Sequence, residues 1–173
     1  MQRRRYLVMV GGAVLAGCLA APLPSFGEPI DASGMVATPH EYFLVETIEG
    51  DAEATSHDAL NDELFVADVS IENTTAENRR PPWPPDHEVY LFNEGMNPDR
   101  LELSPELKAD GDGYDSLVGA IEAAGDREAL PPDTTVRGVV AFRLLEPLRA
   151  DQAFFGMLLD DGDELVHVEW QFR

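Results

Sequence analysis

Three stretches of the chain alternate apolar and polar side chains residue by residue. In ELFVADVSIEN, Phe65, Ala67, Val69 and Ile71 alternate with Val66, Asp68, Ser70 and Glu72. Successive side chains of a strand point to opposite sides, so this is the period of a strand with one buried face. In TVRGVVAFRLL, Val136, Gly138, Val140, Phe142 and Leu144 alternate with Arg137, Val139, Ala141, Arg143 and Leu145. One face of that strand is core and the other is mixed. The third stretch, AFFGMLL, then DDGD, then ELVHVEWQF, predicts a hairpin with a glycine-containing turn. Val166, Val168, Trp170 and Phe172 face inward, and His167, Glu169 and Gln171 outward. Weaker strands are expected at 42–48, 88–92 and 100–103. One short helix is expected at 116–124, with Asp115 capping its start and Gly125 its end. Many short strands separated by turn signals predict an all-β antiparallel sandwich with one short helix.

The N-terminus has a different character. Arg3, Arg4 and Arg5 precede Tyr6, Leu7 and an apolar run from Val8 to Leu15 broken by Gly11 and Gly12. A charged start, a short apolar centre and small residues after it make an export signal. The run is too short to span a bilayer, which takes roughly 20 residues. Arg3-Arg4, one residue, then Tyr6-Leu7 resembles the twin-arginine export motif. Leu15-Ala16-Gly17-Cys18 resembles a lipobox, in which the cysteine thiol takes a lipid and becomes the new N-terminus. Cys18 is the one cysteine of the chain, so an internal disulfide is excluded.

All 33 acidic residues follow Cys18 and face nine basic ones there, a net charge of −24. That balance argues against nucleic acid, which needs a basic face. It also argues against docking on anionic lipid by charge. The acids are dispersed among apolar residues rather than gathered in a tail. Dispersed acid with a single lysine, Lys108, resembles the composition of proteins from salt-loving organisms, haloarchaea among them. An acidic protein of a high-GC bacterium is the other reading. In molar salt the screening length is only ~3 Å, which largely cancels such self-repulsion.

The organisation expected is a lipoprotein signal over residues 1–18, a tether over 19–41 and one sandwich domain over 42–173. The segment LAAPLPSFGEPIDASGMVATPHE shows no period and is rich in proline, glycine and small residues. At ~3.3 Å per residue it would hold a domain up to ~70 Å from the membrane.

FVADVSIENTT, a proline-rich gap, VYLFNEG, LPPDTTVRGVVAFRLLEP and the closing hairpin together resemble a known domain. It is the immunoglobulin-like domain of uncharacterised function found behind lipoprotein signals in bacteria and archaea. In that family a strand ending in Asn-Thr or Asn-Lys is followed by one introduced by Leu-x-Pro-Gly-Glu and ending at a proline. The chain departs from this at Asp133, where glycine is usual. The resemblance spans roughly residues 64–172. It implies an immunoglobulin-like fold and carries over no catalytic residue.

Candidate chemistry is sparse. Asp110, Asp112 and Asp115 share one glycine-rich loop, and Asp160, Asp161 and Asp163 share another. Oxygen clusters on glycine turns suit calcium. The EF-hand spacing fails, however, with Tyr114 and Asp115 where an acid and a glycine belong. In so acidic a chain the reading expected is solvated surface, with no cofactor and calcium as the alternative. His40, His57, His87 and His167 are scattered, with no i, i+4 pair for zinc. A blue-copper site needs a cysteine near the C-terminus, and Cys18 is elsewhere. There is no G-x-S-x-G.

Two further residues stand out. Trp83 sits between two proline pairs in RRPPWPPDHE. It either folds back on the core or offers a rigid aromatic contact to a partner. Asn73-Thr74-Thr75 is an N-glycosylation sequon at a strand end, expected to be exposed. The function expected is a lipid-anchored, extracytoplasmic, non-catalytic binding or scaffolding module. It would sit on the outer face of the cytoplasmic membrane, held through Cys18, with an unknown protein or envelope partner. The competing class is a metal- or solute-binding lipoprotein serving a transporter or the envelope.

Overall fold

A computed structural model describes residues 23–59, 63–125 and 127–172. Arg3, Arg4 and Cys18 lie outside the described residues. The strands are β1 (Ile30–Ala32), β2 (Met35–Val45), β3 (Thr47–Glu49), β4 (His57–Asp58), β5 (Leu64–Asn73) and β6 (Val89–Phe92). There follow β7 (Asp99–Arg100), β8 (Glu106–Ala109), β9 (Asp112–Asp115), α1 (Leu117–Ala124), β10 (Thr134–Arg143), β11 (Phe154–Asp160) and β12 (Leu165–Gln171). They build three antiparallel sheets: β1-β2-β5-β10-β7, β12-β11-β6 and β4-β3-β8-β9. The fold is an all-β antiparallel sandwich with one helix.

The alternation in β5 and β10 explains the layering. Phe65, Ala67, Val69 and Ile71 point one way and join Val136, Val140 and Phe142 against the three-stranded sheet. That sheet returns Leu91, Phe155, Met157 and Trp170. The opposite face of the same two strands is apolar only at one end. There Leu64, Val66, Val139 and Ala141 pack against Ile48, Leu107 and Ala109 of the small four-stranded sheet. Further along, Asp68 and Arg137 take that face and pair with each other. The mixed face expected for β10 is therefore a solvated half at Arg137 followed by a covered half at Val139 and Ala141.

Residues 23–41 are not a tether. Pro24 O accepts from Gln171 N at 2.9 Å, and Phe26 N donates to Gln171 O at 2.9 Å. Residues 35–45 then run as β2 beside β5, and Met35 and Ala37 are fully buried. Pro39 is tolerated because β1 pairs only with 35–37, and the chain bulges between Pro39 and Glu41. The helix also differs in one detail. Ser116, not Asp115, is its N-cap, and its hydroxyl accepts from Gly119 N at 3.0 Å. Gly125 closes it, donating to Ile121 O at 3.1 Å. The helix start lies directly on β10 because Gly138 there has no Cβ. One added would stand 2.6 Å from the Ser116–Leu117 backbone.

Candidate functional site

The residues singled out for chemistry fall in separate places. Asn73 is fully buried. Its amide donates to Glu77 O, Leu130 O and Pro131 O at 2.8, 2.9 and 3.1 Å. Its side-chain oxygen accepts from Thr75 N and Thr75 Oγ1. The expectation of an exposed glycan acceptor is corrected: Asn73 is an internal clamp between the end of β5 and the approach to β10. Trp83 is 8 % exposed and belongs to the sandwich core, so the partner-contact reading is corrected too. Glu88 holds that loop closed. Its buried carboxylate accepts from Trp83 N at 2.8 Å and pairs with Arg80 at 2.6 Å.

The two acidic loops are turns of different sheets. Asp110 and Gly111 form the turn between β8 and β9, with φ of 47° and 94°. The Asp110 carboxylate reaches back to accept from Glu46 N and Thr47 N. Asp112 and Asp115 are exposed at the two ends of β9. In the β11–β12 turn, Asp160 accepts from Arg80 N and Gly162 N. Asp161 accepts from Asp163 N and Glu164 N at 2.9 and 2.8 Å. Those backbone donors hold the Asp161 carboxyl below its ordinary value. Asp163 is exposed beside them. Among the described residues, no three His, Cys, Asp or Glu side chains gather as a metal ion would require.

A depression of about 500 Å³ opens on the outer face of the four-stranded sheet. In β8, Leu107 and Ala109 point into the small core, so Glu106 and Lys108 point out. Cross-strand register sets Glu49 and Gly113 beside Lys108, and Asp115 beside Glu106. Gly113 leaves the floor open, since a Cβ there would meet nothing within 4 Å. Gly50 and Asp51 form one wall. That wall is fixed by hydroxyls: Ser56 Oγ accepts from Gly50 N at 2.9 Å, and Ser104 Oγ from Asp51 N at 2.7 Å. Thr55 Oγ1 and Ser104 Oγ are 2.7 Å apart. Tyr114 lies against Phe43 with ring centroids 5.2 Å apart. Burial, and then the charge of Asp112, hold its phenol above the ordinary value. The lining therefore sets Glu49, Asp51, Glu106 and Asp115 around Lys108. The sequence shows the alternation Glu-Leu-Lys-Ala that aims these side chains, but not the register that gathers them.

A second arrangement lies on the outer face of the three-stranded sheet, where Tyr90, Gly156 and Glu169 share one row. The Tyr90 ring lies over Gly156, where a Cβ would come within 2.3 Å of it. Its hydroxyl donates to Glu169 Oε1 at 2.9 Å and lies 3.1 Å from His167 Nδ1. Burial, followed by the Glu169 charge, pushes the Tyr90 phenol far above its ordinary value. The Tyr90 hydroxyl thereby links β6 to β12 across β11.

No family model matches the chain, and no curated protein matches it. Among solved structures it is similar to the yjhA protein from Bacillus subtilis, with a TM-score of 0.56 at 11 % identity. That match covers 87 % of this chain and 100 % of the other. A conserved hypothetical protein from Bacillus anthracis also matches, with a TM-score of 0.40 at 12 % identity, over 84 % and 94 % of the two chains. The likeness to yjhA is one of fold.

Proposed function

We propose that this chain is a lipid-anchored, extracytoplasmic module that binds or scaffolds a partner and performs no chemistry of its own. Cys18 carries the lipid, and Arg3 and Arg4 direct export. The acid-rich surface suits the domain to concentrated salt. The resemblance of residues 64–172 to immunoglobulin-like domains of secreted lipoproteins supports the same assignment.

The observation that carries the binding role is the depression on the four-stranded sheet. Its wall is fixed by hydroxyl hydrogen bonds before any ligand arrives, which lowers the ordering cost of binding. Four carboxylates against one ammonium favour a cationic group, and a guanidinium matches carboxylates in pairs. The partner is an arginine-bearing segment of another envelope protein.

The test is amide chemical-shift mapping with an arginine-containing peptide at fixed high ionic strength. Saturable shifts confined to Glu49–Asp51, Glu106–Lys108 and Gly113–Asp115 are expected. The Glu106→Gln/Asp115→Asn variant should lose them. Shifts spread evenly over the acidic surface would overturn the assignment. Calcium-selective shifts at Asp110, Asp112 and Asp115 would favour a metal-binding lipoprotein instead. The anchor is tested separately by fractionation. Wild type should be membrane-bound and detergent-extractable, and Cys18→Ser soluble. Replacing Arg3 and Arg4 by Lys should block export.

A further inference from the structure

The exposed large apolar side chains are not spread evenly over the sandwich. Tyr42 and Leu44 lie near the end of β2, Met96 in the turn after β6, and Leu145 just past β10. Register places these positions at one end of the molecule. Val45 pairs with Leu64, Leu64 with Arg143, and Phe92 with Phe154, itself opposite Gln171. Phe172 joins the two sheets there, with its ring 5.6 Å from Phe65 and 4.9 Å from Tyr42. Among the described residues, the remaining exposed large apolar side chain, Leu165, starts β12 at the opposite end. The chain enters the domain at the apolar end, where Pro24 is bonded to Gln171.

We infer that this end of the sandwich rests on the lipid bilayer, with Leu44 and Met96 dipping into its interface. The inference rests on the lipid anchor at Cys18. Only five residues, 19–23, separate Cys18 from Pro24, so six extended steps reach at most ~20 Å. On so short a lead the entry end is the end presented to the membrane. An anchored domain meets the surface at high effective concentration, so a weak apolar contact is enough to hold it. Exposed apolar side chains gathered at one place mark a contact surface. Glu46, Glu94 and Glu146 lie among the loops of the same end. Their charge opposes an anionic surface until salt screens it. The contact is therefore strongest in molar salt, and the depression on the four-stranded sheet is left open to solvent.

The experiment attaches an environment-sensitive fluorophore to Leu44→Cys, Met96→Cys or Leu165→Cys in the full chain. The Cys18 thiol is blocked by its lipid. Each protein is reconstituted into phosphatidylcholine–phosphatidylglycerol vesicles containing doxyl-labelled lipid. In molar salt, acrylamide should quench the Leu44 and Met96 probes severalfold less than the Leu165 probe. Doxyl lipid should quench the first two only. Lowering the salt to tens of millimolar should shrink both differences. Vesicle-bound protein whose three probes quench alike in acrylamide overturns the inference and leaves the anchor standing. Probes shielded from acrylamide yet untouched by doxyl lipid would mean that a second copy covers this end, which also overturns it. Full chain that stays off the vesicles removes the anchor and the inference together.

Discussion

The two faces of the five-stranded sheet are packed by different means. On one face a large core joins long strands: β5 and β10 pair over ten residues, and β11 and β12 over seven. Aromatic rings run through it, with Phe65 near Phe142 and Phe172 and the part-exposed Tyr42 stacked at the edge. On the other face the covering strands are two to four residues long. They are held by a small apolar cluster, by the Asp110 carboxylate and by the Ser104–Thr55 hydroxyl pair. The large core is continuous and supplies the framework. The small one is an attachment, and it carries the depression proposed as a binding surface. Binding surfaces are commonly drawn from the less stable parts of a fold, because they must adjust to a partner.

The largest test of this contrast is Phe65→Ala. Phe65 is fully buried between the two large sheets, and truncating such a ring costs about 3–5 kcal/mol. Chemical denaturation should show that loss as a shift of one cooperative transition. Leu107→Ala should cost less, about 2–3 kcal/mol, because it removes a smaller side chain from a smaller cluster. Native-state hydrogen exchange distinguishes the two. With Leu107→Ala, amides of β3, β8 and β9 should lose protection while those of β5 and β10 keep it. Equal loss in both sets would mean that the two cores unfold as one.

The same contrast explains what the sequence showed. β5, β10 and the β11–β12 hairpin were legible because their alternation runs long enough to stand out. β4 and β7 have two residues each, too few for any period. The β8–β9 hairpin did carry a signal. Asp110-Gly111 is a two-residue turn with both φ angles positive, and Glu-Leu-Lys-Ala alternates before it. It was hidden by its own acids, which read as a loop. Asp133 adopts φ 52°, a left-handed conformation that aspartate tolerates better than most residues. Residues 30–41 looked like a tether because Pro39 and Gly34 carry linker composition into a strand and its turn. The sequon at Asn73 was legible but its burial was not, because that depends on Leu130 and Pro131 far along the chain. The depression needs the register of β3, β8 and β9, which no local pattern contains.

A smaller test concerns the side of the large core that β7 leaves open. β7 pairs only with Phe142 and Arg143, and α1 lies beside the rest of β10, with Ser116 bridging to Val139. Ser116→Ala removes the cap on Gly119 N and should cost about 1 kcal/mol. Because Leu117 and Ile121 belong to the large core, the loss should appear in the global transition. A change confined to α1 amides would instead make the helix a part of the weaker periphery.

The smallest effect expected separates charge from geometry at the β11–β12 turn. Asp161 accepts two backbone N–H groups, and they stabilise its ionised form. Its folded value is therefore depressed. Such a group contributes stability that is present above the ordinary carboxylate value and is lost as pH falls through the folded one. Asp161→Asn keeps an oxygen for the same two donors and removes the charge. The variant should be less stable than wild type at neutral pH by at most about 1 kcal/mol, the scale of a single cap. Other carboxylates also titrate in acid, so the quantity to follow is the difference between the two proteins. That difference should close as pH falls below the folded value of Asp161, where wild type is neutral too. A difference that persists in acid would assign the loss to altered turn geometry. One absent at every pH would show that the turn is held by its backbone and by the Asp160 contacts to Arg80 and Gly162.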